Sequence, residues 1–248
     1  MSLRAFFEDA SANVATLAAA ATTVVSAPLA VHRSRQSPEA ADAVVRAWAK
    51  RILAAARVRV AVEGLALLPK RSVVFVANHE SLFDPLPVVA YVPHHIRFVV
   101  KKDLLKVPIF GPALVATGNV PVDRSGGEQD KEALLGAVDA VRERVSLLFY
   151  PEGTRSADGR VQPFKKGAAV LALTAQVPIV PLGCAGGRDI VPKGRLWIRS
   201  GRRLALVVGS PISTVGRGLD ERDAVIAEAK AGVEAALRRA REILKGAE

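Results

Sequence analysis

Short apolar runs alternate with segments of helical periodicity along most of the chain. Residues 72–77 form a β-branched run with few polar side chains, which is typical of a strand buried on both faces. Further strands are predicted at 58–62, 96–100, 118–124, 147–150, 178–182 and 204–209, with helices at 85–91, 130–144, 166–175 and 219–244. This alternation predicts an α/β fold with a mixed, largely parallel sheet flanked by helices.

The N-terminal segment departs from this alternation. Residues 10–31 carry no charge, and their length is just enough to span a bilayer. Alanine and threonine are weakly apolar, however, and Asn13 lies inside the segment. Glu8 and Asp9 stand where a signal peptide would have basic residues. The sequence predicts a helix that lies in the membrane interface, and the alternative is a peripheral helix packed on the core.

A second amphipathic helix is predicted at 39–57, after a polar break at 32–38. Its apolar positions are Val44, Val45, Trp48, Ile52 and Leu53, and its basic positions are Arg46, Lys50, Arg51 and Arg57. This pattern suits an anionic membrane surface, although an ordinary surface helix has the same pattern. Residues 1–57 are therefore predicted to be a two-helix membrane-associating hairpin, and residues 58–248 an α/β domain.

The charge and cysteine content narrow the possible functions. The 248 residues contain 35 Lys and Arg against 24 Asp and Glu, a formal charge of +11, which favours a polyanionic partner. The chain shows no nucleic-acid-binding motif, so no nucleic-acid partner is expected. A single cysteine, Cys184, excludes an intrachain disulfide, and four scattered histidines make a metal site unexpected.

The residues after the first buried strand carry the main candidate chemistry. The sequence Asn-His-Glu-Ser-Leu-Phe-Asp occupies 78–84, and Pro85 follows. In one interpretation Asp84 only caps the next helix, because Asp before Pro is a common helix start. In the other, Asp84 accepts a hydrogen bond from one ring nitrogen of His79, and the other nitrogen is left to take a proton from a hydroxyl.

Polar side chains also follow the later strands. They are Lys101 and Lys102 after the second buried strand, Asp123 and Arg124 after the third, and Glu152, Gly153, Thr154 and Arg155 after the fourth. Strand ends at one edge of a parallel sheet meet at a common cleft. A base with an orienting acid, beside several cations, suits a hydroxyl nucleophile on a phosphate-bearing substrate. Arg124 and Asp123 are also compatible with a surface ion pair, and the default interpretation of Lys101 and Lys102 is that they are solvated.

Four blocks, in order, resemble the glycerolipid acyltransferase family, which includes the 1-acylglycerol-3-phosphate acyltransferases. The first is 78–84, with an intact His-x₄-Asp, and Lys-Asp-Leu at 102–104 follows it. The second, at 118–124, has Pro121 in place of a usual aromatic residue. The others are Tyr-Pro-Glu-Gly-Thr-Arg-Ser at 150–156 and the apolar run at 177–182, and together they cover about 58–215.

The resemblance implies acyl transfer from a thioester of coenzyme A or acyl carrier protein to the hydroxyl of lysophosphatidate, which gives phosphatidate. It implies that His79 is the base and Asp84 its partner. It assigns the acceptor's phosphate to Arg124, Glu152, Gly153, Thr154 and Arg155, with Lys102 assisting. No metal or redox cofactor is implied.

The predicted hairpin fits a lipid enzyme, since lysophosphatidate and acyl chains reside in bilayers. The expected location is the cytoplasmic face of the cell membrane, with peripheral or monotopic attachment. Residues 193–203 contain Trp197 among five basic residues and are predicted to be either a second membrane-facing patch or a solvated hairpin. Another lysophospholipid or a glycolipid as acceptor, or a non-catalytic membrane-binding protein, remain the alternatives.

Overall fold

The computed structural model describes residues 3–123 and 127–246, with side chains from residue 13 onward. The helices are α1 (Leu3–Ser34), α2 (Pro38–Ala55), α3 (Pro85–Tyr91), α4 (Phe110–Ala116), α5 (Glu128–Leu135), α6 (Val138–Glu143), α7 (Gly167–Ala175), α8 (Gly187–Ile190) and α9 (Arg222–Lys245). The strands are β1 (Arg59–Glu63), β2 (Val74–Ala77), β3 (Ile96–Lys101), β4 (Val120–Val122), β5 (Ser146–Phe149), β6 (Ile179–Ala185) and β7 (Arg203–Val208).

The strands form one sheet in the order β1-β7-β6-β2-β5-β3-β4. All neighbours pair in parallel except β6 and β7, which are antiparallel. The predicted mixed, largely parallel sheet is therefore confirmed. Because β2, β5, β3 and β4 run the same way, their carboxyl ends lie at one edge, and the segments after them approach one another there.

Helices cover both faces of the sheet. On one face α6, α7 and α9 pack over inward-facing residues of β2 and β5, such as Val74 and Leu147. On the other face α3 packs over Phe75 and Leu148. Successive strand residues point to opposite faces, so strands covered on both sides are apolar throughout, as the run at 72–77 indicated.

The N-terminal hairpin packs on the α3 side and shares its apolar core. Ala15 and Ala19 of α1 and Ile52 and Leu53 of α2 are buried together with Leu86 of α3. The turn between the two helices is encoded locally. The Ser37 hydroxyl accepts a hydrogen bond from the amide of Ala40 at 3.1 Å, and Pro38 occupies the first turn of α2.

Two predictions about this region need correction. Helix α1 continues to Ser34, so the predicted polar break shrinks to a tight turn. Arg46 does not extend its charge outward, because its guanidinium donates to the carbonyl oxygens of Val89 and Val92 at 3.0 and 2.9 Å, at the end of α3. Lys50, Arg51 and Arg57 are exposed as expected.

The predicted helix at 130–144 is also wrong in part, because it is interrupted after Leu135 and resumes at Val138. Gly136 lies at the break, where its low helix propensity makes interruption inexpensive. The predicted division at 57/58 coincides with Arg57, whose φ of 52° ends the hairpin before β1. That division into domains stays a prediction.

Candidate active site

His79 and Asp84 form a hydrogen-bonded pair at the carboxyl end of β2. The distance from His79 Nδ1 to Asp84 Oδ2 is 2.9 Å, and the Asp84 side chain is almost fully buried. A buried carboxylate is an acceptor, so Nδ1 carries the proton and Nε2 is the nitrogen that is available to a substrate. The histidine side chain is partly exposed and lines a cavity, which is where a proton acceptor has to lie.

Asp84 is fixed by the backbone of its own motif. The same oxygen, Oδ2, accepts hydrogen bonds from the amides of Glu80 and Ser81, both at 2.7 Å. Asp84 stands at the N-cap position of α3, but its side chain makes no capping hydrogen bond. The interpretation of Asp84 as only a helix cap is therefore wrong, because its carboxylate binds His79 and the backbone of residues 80 and 81 instead.

Gly187 lies against the other side of this carboxylate. A Cβ atom at this position would be 2.4 Å from Asp84 Oδ1 and 2.8 Å from the Cβ of Ser81. Atoms cannot approach that closely without displacement. Glycine at the start of α8 thus allows the fixed position of Asp84, and nothing in the local sequence of 78–84 points to this distant residue.

Glu152 joins two loops through their backbone. Its Oε1 accepts from the amide of His79 at 2.8 Å, and its Oε2 accepts from the amide of Gln162 at 3.0 Å. Burial raises the pKa of this carboxyl, and the two amide hydrogen bonds oppose that rise. Direct phosphate binding by Glu152 stays a prediction, while the geometry gives it a positioning function beneath His79.

Tyr150 and Ser156, from the same block as Glu152, complete the setting of the histidine. The rings of Tyr150 and His79 stack with centroids 4.2 Å apart and planes at 24°. The carbonyl oxygen of His79 accepts a hydrogen bond from the Ser156 amide at 2.7 Å. Backbone and ring of the histidine are therefore both held by the segment after β5, which is pre-organisation of the kind catalysis needs.

An ion pair between the exposed side chain of Arg241 and the buried side chain of Glu80 lies behind the motif. Arg241 of α9 donates to Glu80 Oε1 at 3.1 Å and to the carbonyl oxygen of Gly159 at 2.5 Å. Burial, with a smaller effect from the nearby Asp84 carboxylate, raises the pKa of Glu80 to about 7, against the opposing effect of Arg241. The sequence offered no signal that links Arg241 to Glu80, since 161 positions separate them.

An apolar cavity of about 270 Å³ extends from His79 into the protein. The hairpin supplies one wall and β3 and α4 supply another; lining residues include Ala27, Trp48, Leu86, Phe98, Ala113 and Leu114. The Trp48 indole donates to Thr23 Oγ1 at 3.0 Å, which satisfies its polar atom inside this wall. The cavity that begins at the histidine is thus bordered by α4 and by Thr117, which follows it.

The predicted phosphate-binding residues divide into three groups. Gly153, Thr154 and Arg155 follow Glu152 on the loop that holds His79, and the φ of +73° at Gly153 suits glycine. Within the described residues, the Nη1 atom of Arg155 is buried without a hydrogen-bond partner. Lys102 is exposed and lies 3.7 Å from Asp123. Arg124 lies outside the described residues.

The remaining polar groups near the site have structural roles. Asn78 bridges to β6, since its Nδ2 donates to the carbonyl oxygen of Cys184 at 2.9 Å and its Oδ1 accepts from the amide of Cys184 at 2.8 Å. Burial raises the pKa of the Cys184 thiol, which makes it a poor nucleophile. Within the described part of the chain, no three His, Cys, Asp or Glu side chains cluster as metal ligands would.

Comparison with known proteins places this geometry in a family. The family described as Acyltransferase matches residues 59–185, a span that contains the His79–Asp84 pair and the Glu152 loop. A chloroplastic 1-acyl-sn-glycerol-3-phosphate acyltransferase of Brassica napus is 33% identical over 153 residues, 61% of this chain and 44% of that protein. One of Helicobacter pylori is 37% identical over 112 residues, 43% of this chain and 46% of that protein.

The chain therefore spans about half the length of the curated relatives it matches. Similarity to a solved structure is more extensive. The crystal structure of the 1-acyl-sn-glycerophosphate acyltransferase PlsC from Thermotoga maritima superposes with a TM-score of 0.78 and 26% identity, covering 94% of this chain and 97% of that one. The matched span includes more than half of the chain, from β1 through β6, so the chain belongs to the Acyltransferase family.

Proposed function

We propose that this protein transfers a fatty acyl group from a thioester, on coenzyme A or acyl carrier protein, to the free hydroxyl of lysophosphatidate and so forms phosphatidate. The observation that carries the proposal is the position of His79. Paired with a buried Asp84, it faces an apolar cavity of about 270 Å³. A base at the mouth of an apolar cavity suits a reaction that joins a polar hydroxyl to a long acyl chain.

The proposed reaction needs one base and no acyl-enzyme. Nε2 of His79 takes the proton of the acceptor hydroxyl while the hydroxyl oxygen forms a bond to the carbonyl carbon of the thioester. The tetrahedral intermediate then collapses, the carbon–sulfur bond breaks, and the thiolate leaves with the proton from the imidazolium. Asp84 stabilises the imidazolium between these steps, and general-base catalysis of this kind contributes about 10²–10⁴ in rate.

The oxyanion of the intermediate requires hydrogen-bond donors close to His79. The loop at 153–155 is the nearest source, since Ser156 bonds directly to the backbone of His79. The Gly153 amide already donates to the carbonyl oxygen of Tyr150 at 3.0 Å, so the next amides, of Thr154 and Arg155, are the better candidates. One such donor contributes roughly 10²–10³ in kcat.

Arg155 is the described side chain best suited to the acceptor's phosphate. Its buried Nη1 lacks a partner among the described residues, and a buried guanidinium nitrogen is costly unless it has an anion to bind. Lys102 adds a point charge near the ends of β3 and β4, where it already lies close to Asp123. Replacement of Arg155 by alanine is expected to raise the KM for lysophosphatidate more than it lowers kcat.

Features of the N-terminal hairpin support the proposal that the protein acts at a membrane surface. Residues 13–34 of α1 have a mean hydropathy of 1.8 and are long enough to cross a bilayer by length and composition. One face of α1 packs on α2 and lines the apolar cavity, which favours a helix that lies in the interface. The hydroxyls of Thr22 and Thr23 donate to the carbonyl oxygens of Ala18 and Ala19, so α1 can enter lipid with these groups satisfied. We propose that the protein acts on the cytoplasmic face of the cell membrane.

Acyl transfer by the purified chain on anionic liposomes tests the proposal. The donor is a long-chain acyl thioester, on coenzyme A or on acyl carrier protein, and the acceptors are lysophosphatidate, glycerol-3-phosphate and lysophosphatidylcholine in parallel. The proposal predicts phosphatidate from lysophosphatidate and little product from the other acceptors. Product from lysophosphatidylcholine alone would assign a different acceptor, and no product from any would favour a non-catalytic membrane protein.

A further inference from the structure

The loop between α8 and β7, residues 191–202, exposes two large apolar side chains. Leu196 is 73% exposed and Trp197 is 55% exposed, whereas the next residue, Ile198, is buried in the core shared with the hairpin. Exposed leucine and tryptophan side by side are uncommon unless a partner covers them. We call this segment the 191–202 loop.

The loop is held in place by hydrogen bonds along its length. The amide of Ile198 donates to Thr16 Oγ1 of α1 at 2.9 Å, and the amide of Arg199 donates to the carbonyl oxygen of Ile190 at 2.9 Å. The amide of Gly201 donates to the carbonyl oxygen of Ala56 at 3.0 Å. The exposed pair thus stands on a segment fixed to both the hairpin and α8.

The contact with α1 makes the loop continuous with another apolar surface. Thr16 receives the bond from Ile198, and its neighbours Val14 and Leu17 are 67% and 69% exposed. Ala15 of the same turn is buried, so the outward face of α1 at this point consists of the larger apolar side chains. The loop tip therefore extends the exposed apolar face of the hairpin beyond the hairpin itself.

The charged residues of the loop itself are all basic. Lys193, Arg195, Arg199 and Arg202 are exposed, and none of them forms an ion pair with a described residue. The sequence contains no acidic residue between Asp189 and Asp220. Aromatic and aliphatic side chains surrounded by cations are the composition that binds an anionic bilayer interface.

We propose that the 191–202 loop is a second membrane contact, in which Trp197 and Leu196 enter the boundary between headgroups and acyl chains while the surrounding cations bind anionic headgroups. Two contacts, the loop and α1, restrict rotation of the protein about the hairpin axis and thereby orient the cavity mouth toward the bilayer. The inference rests on the proposed function only in that the acceptor resides in a membrane.

The two tryptophans of the chain allow a direct test. Trp48→Phe leaves Trp197 as the only indole, and Trp197→Phe leaves Trp48, which lines the internal cavity. Tryptophan fluorescence emission is recorded with vesicles of phosphatidylcholine that contain phosphatidylglycerol. The lipid acyl chains carry bromine either at a shallow or at a deep position. The proposal predicts a blue shift of Trp197 emission and stronger quenching by shallow than by deep bromine, with a much smaller shift for Trp48.

The same measurement distinguishes other occupants of the surface. If flotation shows that the protein is bound to the vesicles but the emission of Trp197 is unchanged, the proposal is overturned. A blue shift that appears without vesicles and grows with protein concentration would also overturn it, because a second copy of the chain would then cover the tip. None of these readouts depends on acyl transfer. A failure of the proposed membrane contact can therefore be distinguished from a failure of the proposed activity.

A measurement of acyl-transfer rates tests whether the loop orients the cavity mouth toward the bilayer. The double variant Leu196→Ser/Trp197→Ser is compared with Val215→Ser, which removes an exposed apolar side chain in the segment between β7 and α9. We expect the double variant to lose about five- to tenfold in rate on vesicle-presented acceptor while retaining the native rate on a short-chain acceptor below its micellar concentration. Equal losses on both acceptors would contradict orientation, and so would no loss on vesicles.

Discussion

Substitution of Ala113 by phenylalanine tests whether the apolar cavity holds the acyl chain. Ala113 lies on α4, is buried and lines the cavity that begins at His79. A benzyl group in place of its methyl occupies space that the chain would otherwise fill. If three methylenes are excluded, the lost burial is ~2.4 kcal/mol at ~0.8 kcal/mol each. At 1.36 kcal/mol per factor of ten, that corresponds to roughly a 60-fold change in relative kcat/KM.

The assay measures kcat/KM for a series of saturated acyl thioesters that differ by two carbons. We expect the optimum to shift to shorter chains, with roughly a 60-fold fall in the ratio of the longest to the shortest good donor. Val115→Phe is the control, because Val115 lies on the same helix, is 61% exposed and does not line the cavity. An unchanged chain preference in a folded Ala113→Phe protein would refute the assignment of this cavity to the acyl chain.

Three further predictions concern the groups around His79. Asp84→Asn keeps an oxygen for the Glu80 and Ser81 amides but removes the charge that stabilises the imidazolium, so kcat should fall about 10²–10⁴-fold with an unchanged melting temperature; a variant of native kcat would exclude Asp84 from the chemistry. Gly187→Ala places a Cβ 2.4 Å from Asp84 Oδ1 and should lower kcat at least about tenfold and stability by about 1–3 kcal/mol, whereas Gly246→Ala, at 3.6 Å from its nearest neighbour, should change neither; equal behaviour of the two variants would contradict the packing argument. The pKa of Glu80 in the folded state, about 7, lies above its ordinary value of 4.5. The stability that the protonated Glu80 side chain contributes is therefore fully present below pH 4.5 and is lost as pH rises through 7. Urea unfolding at pH 4.5 and pH 8 should show Glu80→Gln gaining up to about 3 kcal/mol relative to the native chain between the two values, and a constant difference would refute the burial argument.

The sheet and the His79–Asp84 pair could be predicted from the sequence because their signals are local. The run at 72–77 predicted the strand that became β2, and the prediction of helix 85–91 matches α3 residue for residue. The five-residue spacing from His79 to Asp84 produced the observed hydrogen bond of 2.9 Å. A short loop after a buried strand leaves few conformations, so spacing alone constrains which side chains meet.

The supporting contacts were not accessible because they join distant segments. Gly187 approaches Asp84, and Arg241 reaches Glu80 across most of the chain. Nothing in the pattern near position 241 separates that arginine from its solvated neighbours on α9. Likewise, Glu152 was assigned to phosphate on the strength of its motif, whereas the geometry gives both of its oxygens backbone amide donors.

A second histidine–aspartate pair in the chain provides a matched control for the proposed role of His79. His95 and Asp42 form a second histidine–aspartate pair, with Nδ1 and Oδ2 at 2.5 Å, between β3 and α2, and neither residue lines the cavity that begins at His79. A pair of this kind away from the cavity is not positioned to take a proton from a hydroxyl bound there.

The most direct test is therefore the rate of phosphatidate formation on anionic liposomes by the native chain, His79→Ala and His95→Ala, at saturating acyl thioester and lysophosphatidate. The account predicts a loss of about 10²–10⁴-fold for His79→Ala and a rate within a few-fold of native for His95→Ala. A folded His79→Ala protein that transfers acyl groups at the native rate would contradict the assignment of His79 as the base.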